Sequence, residues 1–416
     1  MNRFQPAYNS WLAAPAHQQW LTAEAARLAD FAKASRLAEG FGPLDDSGQL
    51  ADTTAQTLIT TRMTHSFALM HVKGVPGYAG YIDHGIAALE GCLQDPEHGG
   101  WYSTANTASD EGKAAYLHAF VALAASSALA AARPGATELL AKAIGIIERH
   151  FWSESEGAMR EAFDRAWANE EAYRGANSNM HTVEAFLALA DVTGEVKWLE
   201  RAVRICERVI HQHAASNGHR VIEHFSPGWA PALDYNHDRP ADPFRPYGST
   251  PGHAFEWARL LLHLEAALSL RNLDAPAWLL ADARALFATA CHTAWQVDGA
   301  PGLVYTLDWS DQPVVRQRMH WVHAEASSAA AALLQRTGES EYEQWYRTFW
   351  EFSATYLLDT IKGSWHHELD AHNRPSAQVW GGKPDLYHAL QAVLLPTLPL
   401  ARSLATGLGE PVVTKL

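Results

Sequence analysis

The stretch Asn179-Met180-His181-Thr182-Val183-Glu184-Ala185-Phe186-Leu187-Ala188-Leu189-Ala190 decides the fold. From Ala185 on it is apolar nearly all round, which marks a helix buried on every side. Shortly after it comes Trp198-Leu199-Glu200-Arg201-Ala202-Val203-Arg204, which carries charge on one side only. That pattern belongs to a helix with one face in the core and one in water. A buried helix followed by a one-faced helix is the unit from which the rest of the chain is built.

The alternation runs through the sequence. All-round apolar helices are expected to start near Thr54, Lys113, Asn179, Pro251, Trp321 and Pro384. One-faced helices lie between them and end near Leu93, Trp152, His213, Trp295 and Leu358. Each of these ends in a glycine-containing loop: Gly99-Gly100-Trp101-Tyr102, Gly157-Ala158-Met159, Gly218-His219-Arg220-Val221, Gly302-Leu303-Val304-Tyr305 and Gly363-Ser364-Trp365-His366. Successive loops are roughly 60 residues apart, a long fixed period that marks a repeat architecture. Each period holds two helices of about 15 residues plus connections, which fits a helical hairpin. Six inner and about six outer helices close into an all-α toroid, an (α/α)6 barrel with short β-hairpin loops, expected to occupy residues 1–416 as a single catalytic domain. One longer interval, Phe225 to Pro251, is rich in Pro, Asp, Asn and aromatics. A loop of that size inside a compact domain usually serves function.

Composition narrows the partners. A net charge of −14 argues against nucleic acid or an anionic membrane. No apolar run is long enough to span a bilayer. Met1-Asn2-Arg3-Phe4-Gln5-Pro6 lacks the basic-then-apolar layout of a signal peptide. Cys92, Cys206 and Cys291 give neither a disulfide framework nor a zinc pattern. A reducing, cytoplasmic setting is expected, with the chain a monomer or a homo-oligomer. The 16 Trp offer flat apolar faces with one N–H donor each, suited to sugar rings where they are not core.

Three histidines open inner helices three residues before Glu or Gln: His181-Thr-Val-Glu184, His253-Ala-Phe-Glu256 and His388-Ala-Leu-Gln391. In a toroid the starts of the inner helices face one funnel. They bring Arg62, Tyr116 with His118, His181, His253, Glu325 and His388 together; Asn177, Trp321 and His323 sit beside them. Loops add Arg245, Trp365, His366, His367, Trp380 and Lys383. The set has no nucleophile elbow, phosphate loop or dinucleotide fingerprint. His-x-x-Glu is open to three readings: a metal half-site, since residues three apart share a helix face; a brace within the helix; or, for Glu256, a group that reaches a sugar hydroxyl or tunes His253. Carboxylate-bridged metal bundles write the motif in the opposite order, and the two-imidazole chemistry that follows requires neither metal nor cofactor. Two imidazoles across a funnel suit proton transfer beside a carbonyl. An open-chain aldose loses its C2 proton to one, and protonation of the enediol at C1 yields the ketose.

At these residues the chain resembles the N-acylglucosamine 2-epimerase superfamily, most closely the aldose–ketose isomerase branch that holds D-mannose isomerases and the sulfoquinovose isomerase. The resemblance covers nearly the whole chain. It is carried by Asp83-His84-Gly85, His98-Gly99-Gly100-Trp101-Tyr102, Phe151-Trp152-Ser153-Glu154, Tyr173 through His181, Gly248-Ser249-Thr250-Pro251-Gly252-His253, Val304 through Trp309 and Asp385-Leu386-Tyr387-His388. It implies catalytic roles for His253 and His388. His388 would move the proton between C2 and C1 and His253 those of the oxygens, or the roles are exchanged. It also implies substrate contacts from Arg62, Asn177, His181 and Glu256, joined by Tyr116, Trp321, Glu325 and Trp380. The implied reaction interconverts D-mannose and D-fructose, with D-lyxose and D-xylulose as a second pair, through a cis-enediol. Sulfosugar relatives carry amides where this chain has His367 and Pro384, and a Trp near Leu58. These departures favour an unmodified hexose, with a sulfoquinovose isomerase or a sugar 2-epimerase of the cellobiose or N-acylglucosamine type as the alternatives.

Overall fold

The computed structural model describes residues 9–105, 112–400 and 403–409; the six N-terminal residues read above lie outside them. Six inner helices are present: α2 (Thr57–Val72), α4 (Ala115–Ala130), α6 (Ala176–Thr193), α8 (Pro251–Leu270), α10 (His320–Thr337) and α12 (Tyr387–Leu394). Their starts lie within three residues of the expected positions, close to the usual uncertainty of a helix end. Each packs on the next, and α12 returns to α2, so the ring closes as an (α/α)6 barrel.

Composition explains the close packing of the ring. α4 is AYLHAFVALAASSALA, and α10 carries Ala329 through Ala332. Alanine has the highest helix propensity and keeps side chains short. α6 and α10 stop at Gly194 and Gly338, whose φ of 75° and 76° close an αL cap.

The outer helices are α3 (Ala79–Glu90), α5 (Ala136–Ile146), α7 (Lys197–Cys206), α9 (Trp278–Ala294) and α11 (Ser340–Phe352), each packed on the inner helix before it. α5, α7 and α11 run on into π-helical turns, Ile147–Phe151, Glu207–Ala214 and Ser353–Leu357. The sixth pair differs from a simple sixth repeat. α1 (Pro15–Ala32), at the other end of the chain, packs on α12. Among the described residues no helix is long and apolar enough to cross a membrane.

Among the described residues the loops form five two-stranded antiparallel sheets of two- and three-residue strands. Bridges pair Gln94 with Trp101, Trp152 with Met159, Trp295 with Leu303, and Leu358 with Trp365, so the same hairpin recurs at the ends of outer helices. The fourth residue of an inner helix ties these loops down. His323 turns Nδ1 to the Met319 carbonyl (3.0 Å) while Nε2 accepts the Leu303 N–H (3.0 Å). His118 does the same with Ala114 (2.7 Å) and Trp101 (3.2 Å). Asn179 plays this part with Gly175 and Met159, both at 2.9 Å, and Thr60 Oγ1 accepts from Phe41 N at 3.1 Å. His118 and His323, expected near the funnel, are therefore braces, and burial lowers both to about 3. His323→Leu leaves the buried Leu303 N–H unpaired, at a cost of about 1–3 kcal/mol. Chemical denaturation should show that loss with the helical circular dichroism of the folded protein unchanged.

Candidate active site

The starts of the inner helices and the loops above them enclose a cavity of about 280 Å³. Ligand pockets span roughly 300–1,000 Å³, so this one falls just below the usual range. Arg62, Tyr116, Asn177, His181, His253, Glu256, Trp321, Trp380 and His388 all line it. Glu325 does not; it lies behind His388, fully buried. The three histidines converge from different registers: His181 is the sixth residue of α6, His253 the third of α8 and His388 the second of α12.

Each proposed proton carrier is backed by a carboxylate. His253 Nδ1 lies 2.9 Å from Glu223 Oε1, and His388 Nδ1 lies 2.9 Å from Glu325 Oε1. A carboxylate only accepts, so each Nδ1 carries the proton and each Nε2 offers its lone pair to the cavity. Burial, then the nearby Arg62 charge, holds His388 well below the usual histidine value. The Trp321 ring lies beside both, 5.1 Å from His253 and 5.7 Å from His388 between centroids, as an apolar face. This contact explains Pro251-Gly252-His253. Proline suits the first helical position, and a Cβ on Gly252 would sit 2.4 Å from Trp321.

Arg62 is fixed before any ligand arrives. Its Nη1 donates to Asp385 and its Nη2 to the Tyr116 hydroxyl, both at 2.9 Å. The guanidinium lies 4.7 Å from the Phe120 ring and 4.9 Å from that of Tyr387. Burial opposes its charge, but Tyr116 and Asp385 more than offset this, and its pKa is raised.

Below the cavity lies a dense charge cluster. Arg259 Nε donates to Glu325 at 3.0 Å, and its Nη2 is 3.6 Å from Glu256. Glu184 accepts from the Tyr387 hydroxyl and from Gln391 Nε2 (3.0 Å), with His181 Nδ1 3.5 Å away. Glu184 thus braces α6 against α12 and is held below the carboxylate range despite burial, with His181 and Arg259 among the causes. Burial and then the neighbouring Glu325 push Glu256 well above it. Among the described residues two groups have metal-ligand proximity, His181 with Glu184 and Glu256, and Glu256 with Glu325 and His388. Arg259 already places a positive charge among these carboxylates.

Several polar atoms of lining residues are buried without a hydrogen-bond partner: Asn177 Oδ1, Trp380 Nε1, His320 Nε2, Arg62 Nε and both Glu256 oxygens. Buried polar groups are otherwise almost always paired. An unpaired set of donors and acceptors around a small cavity fits a ligand that brings many hydroxyls.

A family model described as N-acylglucosamine 2-epimerase matches residues 40–392. The chain belongs to the N-acylglucosamine 2-epimerase family. A D-mannose isomerase of Pseudomonas cannabina pv. alisalensis is 63% identical, over 89% of this chain and 90% of that protein. One from Thermobifida fusca is 56% identical, over 89% and 91%. A crystal structure of a D-mannose isomerase superposes with a TM-score of 0.85 at 30% identity, covering 92% of this chain and 99% of the other.

Within this family member the structure adds residues that sequence reasoning gave no role. Glu223 backs His253, Asp385 holds Arg62, and Tyr305, Phe244 and His320 line the cavity. His320 stacks on His367 at 3.7 Å, and burial lowers His320 to about 4. Of the loop candidates, His367 and Trp380 line the cavity. Trp365 is core and donates to Glu24 (2.7 Å); Lys383 is buried against Asp359 (2.6 Å), and His366 lies 3.8 Å from the same carboxylate. Arg245 pairs with Glu171 at 2.7 and 2.9 Å.

Proposed function

We propose that the chain is an aldose–ketose isomerase that interconverts D-mannose and D-fructose, and D-lyxose and D-xylulose as a second pair, in one catalytic domain. The observation that carries this reading is the pair of buried imidazoles, each with Nδ1 on a carboxylate and Nε2 toward one monosaccharide-sized cavity. The two relatives described as D-mannose isomerases support the choice of sugar.

The open-chain aldose lies against Trp321. His388 Nε2 takes the C2 proton, made acidic by the C1 aldehyde, and returns it to C1 of the enediol. His253 opens the ring and moves the proton between O1 and O2. Arg62, held cationic, stabilises the developing oxyanion, as preorganised donors do. Glu256, whose two carboxyl oxygens have no hydrogen-bond partner in the free protein, binds the sugar hydroxyls. Every proton has a carrier among these side chains, so the step calls on no metal. Free Cys92, Cys206 and Cys291 support a reducing, cytoplasmic setting.

Metal-stripped protein in excess chelator should convert mannose to fructose at the untreated rate, followed by chromatography. Loss of activity that a divalent ion restores would contradict the mechanism.

The lowered pKa of His388 also sets a pH dependence. Its base form persists below the ordinary histidine value of 6.5 and is lost only as pH falls through the lower, folded-state value. Histidine NMR should therefore place its midpoint below 6.5 in the free protein, and kcat/KM should hold until that midpoint is reached. A midpoint at or above 6.5 would remove the basis for a neutral His388.

A further inference from the structure

A second cavity, of about 320 Å³, adjoins the first. Gln56, Leu58, Tyr116, Asn177 and Phe244 line both and form the wall between them. The far side is equipped for a polyol. Glu161 Oε2 accepts from Ser178 Oγ (2.6 Å) and Gly175 N (3.1 Å). Its Oε1 makes no hydrogen bond with the described residues and lies 3.8 Å from Arg245 Nη2. The Arg245 guanidinium covers the Tyr173 ring at 4.2 Å. A carboxylate acceptor, a guanidinium and aromatic faces around one small space are what a sugar ring needs.

Phe244 is the wall residue contributed by the long loop. Its ring meets Trp380 edge-on at 5.2 Å and Tyr116 at 6.1 Å, and it stays 48% exposed. A large apolar side chain half in water at the mouth of a polar site is not there for core packing. Its backbone is firmly placed. Asp242 Oδ1 accepts from Phe244 N (3.1 Å) and Arg245 N (2.9 Å). The Pro243 carbonyl accepts from the Tyr305 hydroxyl (3.3 Å), the Arg245 carbonyl from Asn236 Nδ2 (2.7 Å), and the Pro246 carbonyl is 2.8 Å from His224 Nε2. The loop backbone therefore holds the ring at the boundary between the two cavities.

We infer that Phe244 sets the substrate size limit: it walls the cavity of the reacting hexose off from an adjoining second-sugar subsite, and loss of its ring admits a hexose that bears another hexose. The inference rests on the isomerase reading and names the feature that confines that site to a monosaccharide.

The test compares wild type, Phe244→Leu and Phe244→Ala on mannose, on 4-O-β-D-glucosyl-D-mannose and on 6-O-α-D-mannosyl-D-mannose. The ratio of kcat/KM for a disaccharide to that for mannose should rise in the order wild type, Leu, Ala, by tenfold or more for Ala with one of the two disaccharides. An unchanged ratio for both disaccharides in both variants overturns the inference. Mannose turnover by wild type is read in the same assay. Its absence counts against the isomerase reading, whereas an unchanged ratio with mannose turnover intact counts against Phe244 alone. The side chain is half exposed, so neither variant threatens the fold, and circular dichroism checks this.

Discussion

His388→Asn and His253→Asn should each lower kcat by about 10²–10⁴-fold, the range of a positioned acid–base group, with His388 at the upper end. Asparagine retains a donor for the carboxylate behind each ring. Glu325 in addition keeps Arg259 Nε at 3.0 Å, so the cluster beneath His388 stays neutralised. Stability should therefore change far less than turnover. Because the proposed mannose contacts come mainly from Arg62, Asn177, Glu256 and the aromatic walls, KM should move only a few-fold. Steady-state kinetics with circular dichroism checks both points. Near-wild-type kcat in both variants would remove the two histidines from the chemistry.

Arg62→Met should damage catalysis and stability together. Loss of one preorganised donor at a developing oxyanion lowers kcat about 10²–10³-fold. The same change strands Asp385, which is 5% exposed and salt-bridged to Arg62 at 2.9 Å. Removing one partner of a buried ion pair costs about 3–5 kcal/mol. Asp385 is held below the carboxylate range against its burial chiefly by Arg62, and that support disappears. The double variant Arg62→Met/Asp385→Asn should regain part of the stability and none of the activity. Denaturation midpoints and kcat/KM measure the two effects separately. Recovery of activity in the double variant would show that Arg62 serves only to neutralise Asp385.

The alternation of helix types was legible because it is written in local composition. Ala185 through Ala190 has no polar face, and Lys197–Cys206 buries Trp198, Leu199, Ala202, Ile205 and Cys206 on one side. The closure of the ring by α1 was not legible, because nothing local marks α1 as the partner of α12. Histidine roles were only half legible. His118 and His323 look like His181 and His388 in sequence, since each opens an apolar helix. What separates them is register: the fourth residue of the helix faces the hairpin, while the second and sixth face the funnel, as Tyr116, Asn177, Trp321, Arg62 and His181 show. That register appears only once the helix starts are known to the residue. Glu223 left a weak signal, one acid after apolar Val221 and Ile222 just before the long loop. Its meaning is long-range, since it meets His253 thirty residues on.

The central claim is that a side chain carries a proton between C2 and C1. Mannose isomerised by metal-stripped protein in deuterium oxide, followed by NMR, tests it most directly. The account predicts fructose bearing solvent deuterium at a single C1 position, because the proton on His388 exchanges with solvent in a fraction of turnovers. It also predicts the loss of that label in His388→Asn. Fructose that forms at full rate with no deuterium at C1, the outcome of a direct hydride shift, would contradict the account.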